Sequence, residues 1–283
     1  MQVFIALHKV KGVGDIFGKM RSLHHSSPLS EISNWNHVTG SDVIFHVARN
    51  PYSRLYSAYV DKIYLPGFLG VSKLINKHNK KHCNQSVSFG EFLDYILNEN
   101  LQDPHWKPIS DLFGSCTVPY NVISKQESFN KDVRFILDKL SISGHLKQNF
   151  IQNLKAKHTE NSIKEITKVM ISFAKTDPCI TFQQFCQRLW KSFQIQGYIS
   201  DLVSFPANEF KHLNFDNVTI IVRNFLKGTQ MIVMNDVMRK LQRQKNLSKA
   251  YNGISQKTLG ILKKMYKNDF DIYGYSYELP EEI

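Results

Sequence analysis

The segment DVIFHVARNPYSRLYSAYVDKIY, residues 42–64, constrains the fold of this chain more than any other stretch. DVIFHVAR is rich in β-branched and aromatic residues and reads as a buried strand. It ends at Asn50-Pro51, and proline suits the first helical position, where its missing N–H is not needed. Leu55, Tyr59 and Ile63 then recur every four residues, one apolar face of a helix. The unit is therefore strand, tight turn, helix. A second set of the same kind follows. SFGEFLDYILNEN (88–100) is an amphipathic helix with Ser88 as N-cap and Phe89, Phe92, Leu93 and Ile96 on one side. VPYNVIS (118–124) reads as a second short buried strand, and Phe129, Val133, Ile136, Leu137 and Leu140 make 127–140 a helix. Buried strands alternating with amphipathic helices predict an α/β domain with a mostly parallel sheet.

Beyond residue 150 the pattern weakens. The stretch 150–215 reads as polar and irregular, with helical patches at SIKEITKVMISFAK and FQQFCQRLWKSF (182–193). VTIIV (218–222) reads as a strand, and SQKTLGILKKMYKNDFDIYGY as a helix closing on an aromatic-rich end. No internal repeat stands out, so one domain over 1–283 is expected. With 42% apolar residues the chain can bury a substantial core, which excludes a disordered protein. No apolar run approaches the roughly 18 residues of a membrane span. MQVFIALHKVKG is interrupted by charge too early to be a cleavable signal peptide.

Thirty-six Lys+Arg against 24 Asp+Glu give a formal charge of +12. Nucleic acid, an anionic membrane and an acidic small molecule or polysaccharide are all compatible with that surplus. The densest clusters, HNKKH (78–82) and RKLQRQK (239–245), are short, which disfavours a nucleic-acid arm. No Gly-x-x-x-x-Gly-Lys-Ser/Thr loop occurs. Cys83, Cys116, Cys179 and Cys186 lack metal-ligand spacing. They form two disulfides in an oxidising compartment or stay free in a reducing one, and spacing does not choose. The sequons at Asn84, Asn217 and Asn246 match chance expectation for a chain rich in Asn.

The chemistry concentrates in VARNPYSRLYSAYVDK (47–62). Ligands of parallel α/β domains bind outside the carboxyl ends of strands, where the next helix begins. Arg49 stands at that end, and Arg54 and Ser57 follow in the first two turns of the helix. A helix N-terminus, a guanidinium fork and a hydroxyl together suit a phosphate. The plainer alternative pairs Arg49 with a carboxylate such as Asp61 and leaves Ser57 as a small packing residue.

RNPYSRLYSAYVDK resembles the Arg-x-Pro-x-x-Arg-Leu-x-Ser-x-Tyr segment of the Golgi carbohydrate sulfotransferases, the family of the chondroitin and dermatan sulfotransferases. SVSFGEFLDYIL, DPHWKP (103–108), CTVPYNVISKQE (116–127) and the helix with Asp132 are similar to the family's next blocks, in the same order. MYKNDFDIYGY (265–275) is similar to its Tyr-x-x-Asp-Phe-x-x-Phe-x-Tyr terminus. The resemblance covers roughly 43–140 and 255–275. It implies a P-loop-NTPase-like sulfotransferase fold, a mostly parallel central sheet flanked by helices. It implies 3′-phosphoadenosine 5′-phosphosulfate (PAPS) as donor with no metal, a glycan or glycosaminoglycan acceptor, and a catalytic domain in the Golgi lumen. Arg49 and Ser57 would bind the 3′-phosphate, with Arg54 a supporting charge or packing residue, and the Asp-Phe tail would lie near the adenine side.

Members open with a Pro-Lys-x-Gly-Cys-Thr-x-Trp-Lys loop for the 5′-phosphosulfate, and KVKGVGD (9–15) does not match it. The expectation is a chain that starts beyond that loop and its strand, with any membrane anchor upstream; a variant without transfer activity, binding glycan or nucleotide only, is the alternative. Residues 150–250 have no clear family counterpart and read as an insertion. Phe113 replaces one cysteine of the family's Cys-x-x-Cys, which leaves Cys116 in need of another partner such as Cys83. Sulfuryl transfer needs a base of near-neutral pKa, and His105, inside a family block, is the candidate. Trp106 beside it is expected to stack on a sugar ring. The competing reading makes His105 a structural histidine. Glu127 is expected to act as an outlying carboxylate or ion-pair partner, and the His24-His25 and His78/His82 pairs as solvated surface.

Overall fold

In the computed structural model Phe45–Ala48 form a strand, β1, that pairs in parallel with a second, β2, at Val122–Lys125. The register sets Phe45 against Val122 and Ala48 against Lys125. The structure describes residues 43–67, 69–155 and 158–281. The MQVFIALHKVKG segment, the KVKGVGD stretch and the His24-His25 pair lie outside them. β1 and β2 make the one sheet among the described residues, a small parallel sheet in a largely helical body.

Asn50, two residues past the end of β1, caps helix α1, Pro51–Ala58, with Pro51 in the first turn. Tyr52, Leu55 and Ala58 face inward. The helix runs on as a π-helical stretch, Tyr59–Tyr64, where five-residue hydrogen bonding widens the coil. Helices α2 (Leu69–His78) and α3 (Phe89–Asn98) follow. Helix α3 starts with a capping box in which Ser88 accepts the Glu91 amide and the Glu91 carboxylate accepts the Ser88 amide. A short helix α4 (Ile109–Leu112) precedes β2, and α5 (Phe129–Lys139) follows it. β1, α1, α3, β2 and α5 match the strand and helix expectations for the first half, whereas α2 and α4 lie where no element is expected.

The second half departs from them. Residues 150–215 are mostly helical: α6 (Gly144–Lys155), α7 (His158–Ala174) and α8 (Phe182–Ile195), then a short α9 (Ala207–Phe210). A Thr181/Gln184 capping box opens α8, and Phe185, Leu189, Trp190 and Phe193 bury its inner face. VTIIV is a correction. It opens helix α10, Val218–Met231, whose Ile221, Val222, Phe225 and Gly228 are buried at helical spacing. A short apolar run does not by itself separate strand from helix, and packing decided here. Gly228 lies against α8 so closely that a Cβ would stand 2.5 Å from Trp190. The tail is two helices after α11 (Asp236–Tyr251), namely α12 (Gln256–Met265) and α13 (Lys267–Tyr273). Gly274, with φ of 59°, supplies the left-handed C-cap.

Two large apolar cores result, beside a small cluster of Ala48, Ile109 and Tyr273. One gathers Tyr52, Leu55, Phe92, Leu93, Leu262 and Phe270 around α1, α3, α12 and α13. The other gathers Ile163, Phe185, Leu189, Trp190 and Phe225 from α7, α8 and α10. Each such side chain, fully buried, contributes about 2 kcal/mol. A disulfide between Cys83 and Cys179 ties the loop before α3 to the turn before α8. The expected Cys116–Cys83 pairing is therefore wrong: Cys116 is free and exposed, and Cys186 is free and buried. No described helix is long and apolar enough to cross a membrane.

Candidate active site

The turn from β1 into α1 places Arg49 at the carboxyl end of the strand. Its Nε donates to Ser53 Oγ at 3.1 Å, and Ser53 Oγ in turn donates to the Asn50 carbonyl at 3.2 Å. The two terminal guanidinium nitrogens of Arg49 make no hydrogen bond among the described residues. Burial pushes the Arg49 pKa down to about 10, against the nearby Glu127 carboxylate, and Arg54 adds to the lowering. The group stays charged at neutral pH. Asp61, the sequence-based partner, instead meets Lys62 at 2.9 Å.

Ser57 lies four residues beyond Ser53, on the same helix face, so Arg49, Ser53 and Ser57 line one side of α1. Ser53 is not among the residues expected here, although its spacing of four from both Arg49 and Ser57 is a signal present in the sequence. Asn50 already accepts the amides of Tyr52 and Ser53, and the Arg54 amide donates to the Asn50 carbonyl. An anion here meets side-chain donors rather than open helix amides.

Arg54 is placed differently. Its Nη2 donates to the Pro104 carbonyl at 2.9 Å, and its Nη1 to the Lys107 carbonyl. These two carbonyls flank His105, so Arg54 clamps the candidate base's loop onto the candidate donor helix. Burial pushes the Arg54 pKa down, opposed by Tyr266 and Asp269. The His105 ring bonds through Nδ1 to Asp103 Oδ1 at 2.6 Å, and the His105 amide donates to the same oxygen at 2.8 Å. The ring remains substantially exposed.

Trp106 does not present a face to a sugar. It is buried, packs edge-on against Phe92 and donates its indole N–H to the Leu101 carbonyl at 2.8 Å. The Asp-Phe pair of the tail is also internal. Asp269 accepts the amides of Ile109 and Ser110, both at 2.8 Å, and so caps α4. Phe270 packs on Tyr52 with centroids 5.2 Å apart. Asp132 accepts from Ser128 Oγ, Ser124 Oγ and the Lys125 amide. Burial pushes its pKa up, and these bonds outweigh it and hold the carboxyl below its ordinary value. No metal-ligating cluster of three His, Cys, Asp or Glu occurs among the described residues.

A model of the sulfotransferase family matches residues 17–178 and 175–276. The chain belongs to the sulfotransferase family. Among curated relatives, carbohydrate sulfotransferase 11 of Mus musculus is 26% identical over 166 residues, 47% of this chain and 47% of that protein. Carbohydrate sulfotransferase 9 of Homo sapiens is 28% identical over 128 residues, 40% of this chain and 28% of that protein. Carbohydrate sulfotransferase 8 of Mus musculus is 26% identical over 184 residues, 59% of this chain and 40% of that protein. The matched segments span about half or less of the length of these sulfotransferases. No solved structure matches.

Proposed function

We propose that this chain moves a sulfuryl group from PAPS to a hydroxyl of a glycan, in the Golgi lumen, on a P-loop-like sulfotransferase fold. One observation carries the reading: the uncommitted guanidinium fork of Arg49 at the end of a parallel strand, where this family's donor nucleotide is expected. The two terminal nitrogens fit two oxygens of a phosphate dianion. Ser57 adds a hydroxyl on the same helix face. Arg54 supports that end by its charge and by holding the His105 loop.

The acceptor hydroxyl attacks sulfur as the bond from sulfur to the bridging phosphate oxygen breaks, releasing 3′-phosphoadenosine 5′-phosphate. His105 takes the hydroxyl proton. Its Nδ1 faces Asp103, which orients the ring and makes Nε2 the basic nitrogen. Positioning and charge neutralisation supply the acceleration, as in phosphoryl transfer. The Cys83–Cys179 bridge is consistent with an oxidising lumen.

Calorimetric titration with 3′-phosphoadenosine 5′-phosphate tests the donor site. Arg49→Ala is expected to weaken binding about 100-fold, the loss of a bidentate charged contact, and Ser57→Ala about fivefold. Adenosine 5′-phosphate, lacking the 3′-phosphate, is expected to show no such difference. Unchanged affinity in the Arg49→Ala, Ser57→Ala double variant refutes the site. Transfer of labelled sulfate to a glycan chain tests catalysis.

A further inference from the structure

An open groove of about 860 Å³ lies away from Arg49, at the far end of the helix that Arg49 precedes. Tyr64, the last residue of the π-helical stretch, contributes to its lining. Fourteen residues from Pro51 to Tyr64 span about 20 Å, so a ligand touching both ends must be a chain.

The walls come from separate parts of the molecule. Lys81, Asn84 and Gln85 form one, in the loop before α3, and Gln187, Arg188 and Lys191 the other, on α8. The Cys83–Cys179 disulfide ties the loop that carries the first wall to the turn that leads into α8, which limits how far the two segments can part. The lining carries three cations against one carboxylate, Asp201. Asp201 is already engaged, accepting from Asn246 Nδ2 at 3.0 Å and meeting Lys191 only loosely at 3.7 Å. Lys81 is committed to Glu91 at 2.8 Å. Arg188 donates no hydrogen bond and joins no ion pair among the described residues; it acts on the phenols of Tyr59 and Tyr64, lowering their pKa values against burial. Side-chain amides stand between the charges: Gln194 commits its amide hydrogens to the Ser200 and Val203 carbonyls, and Gln85 and Gln184 each accept one backbone amide, while Asn84 and Gln187 also carry a donor and an acceptor each, the pairing that hydroxyl-rich ligands need. Trp190 is buried, and Tyr64 and Phe205, both partly exposed, add apolar rings to the lining, surfaces on which a sugar ring can pack.

We propose that this groove is a second subsite that binds an anionic oligosaccharide remote from the transfer site, with Arg188 and Lys191 as its cations and the disulfide holding its walls in register. It rests on the glycan-acceptor reading above for its biological use, though not for its binding chemistry. A bound chain would reach from the groove along α1 toward Arg49, so long acceptors would be held better than short ones.

The test uses the oxidised chain produced without N-glycans, since Asn84 opens a sequon on one wall. A size-defined heparin decasaccharide is the probe, with a heparin disaccharide and a polyglutamate peptide of equal charge as controls. Arg188→Glu combined with Lys191→Glu is expected to weaken decasaccharide binding by about 10-fold or more at low salt. Affinity for 3′-phosphoadenosine 5′-phosphate is expected to stay unchanged. Gln187→Glu, on the exposed side of α8, provides a milder variant that keeps the fold should the double reversal unfold. Reduction of the disulfide is expected to weaken the decasaccharide and spare the nucleotide. Equal affinity of the wild type and both variants for the decasaccharide overturns the subsite, as does equal binding of polyglutamate. A variant-dependent loss without any sulfate transfer supports the subsite and refutes the transferase reading; transfer without that loss does the reverse.

Discussion

The phenol of Tyr275 donates to Glu127 Oε2 at 2.9 Å, joining residues 148 positions apart. The other oxygen of Glu127 accepts the Asn50 amide at 3.2 Å, and Lys125 Nζ sits 4.8 Å above the Tyr275 ring. The tail is thereby latched to the turn that carries Arg49. Burial raises the Tyr275 phenol pKa well above its ordinary value, and Glu127 raises it further, so it remains a donor at any physiological pH.

Tyr275→Phe removes that donor and keeps the ring. Stability is expected to fall by about 1 kcal/mol, read as a lower urea midpoint at unchanged slope. Glu127→Ala is expected also to speed hydrogen exchange at the Asn50 amide. An unchanged Asn50 exchange rate in Glu127→Ala would break the proposed latch.

His46 on β1 predicts acid sensitivity. The ring is buried, with both nitrogens unpartnered among the described residues, and lies tilted against Tyr120, centroids 4.4 Å apart, with Phe113 and Tyr273 beside it. Burial lowers its pKa from 6.5 to about 4. Between those values the unfolded chain binds a proton that the folded chain refuses, so stability is full above pH 6.5 and falls as pH drops toward 4. The loss amounts to about 3 kcal/mol. His46→Phe is expected to flatten this limb of the stability curve, leaving carboxylates such as Asp132 to govern the lower one. Identical acid limbs in the two proteins would count against it.

The thiols sort by geometry. Peptide mapping without reduction is expected to recover Cys83 linked to Cys179, to label Cys116 in the native protein, and to label Cys186 only after unfolding. Burial lifts the Cys186 thiol to about 12, which keeps it an unreactive thiol. The bridge spans 96 residues, and removing it with Cys83→Ser is expected to cost about 4 kcal/mol. Recovery of a Cys83–Cys116 peptide from native protein would contradict the fold around α8.

Arg54 acts as a positioning residue, and lysine lacks the planar fork that reaches two carbonyls. Arg54→Lys is expected to loosen residues 103–107, seen as faster exchange of the Trp106 and Lys107 amides, which now donate to the Asp103 carbonyl. In the transfer assay kcat is expected to fall about 10-fold or more with the KM for PAPS little changed. A rise in that KM with kcat intact would assign Arg54 to the donor instead.

The amino-acid sequence by itself determined the local elements around the site. Asn50-Pro51, the Ser88/Glu91 capping box and the four-residue spacing of Leu55, Tyr59 and Ile63 are short-range signals, and the helices and strands they predict over 43–140 are present. Order and spacing of motifs also sufficed for the family. Only the tertiary structure decided the rest, because those outcomes turn on contacts between distant residues. VTIIV became a helix when Phe225 and Gly228 met α8. Trp106 turned inward onto Phe92, and Cys83 found Cys179 in place of Cys116. Arg49 and Arg54 look equivalent as sequence letters. Arg54 spends its terminal nitrogens on the Pro104 and Lys107 carbonyls, and Arg49 keeps its own free for a ligand. A guanidinium's use depends on which acceptors folding brings within about 3 Å, and no local pattern encodes that.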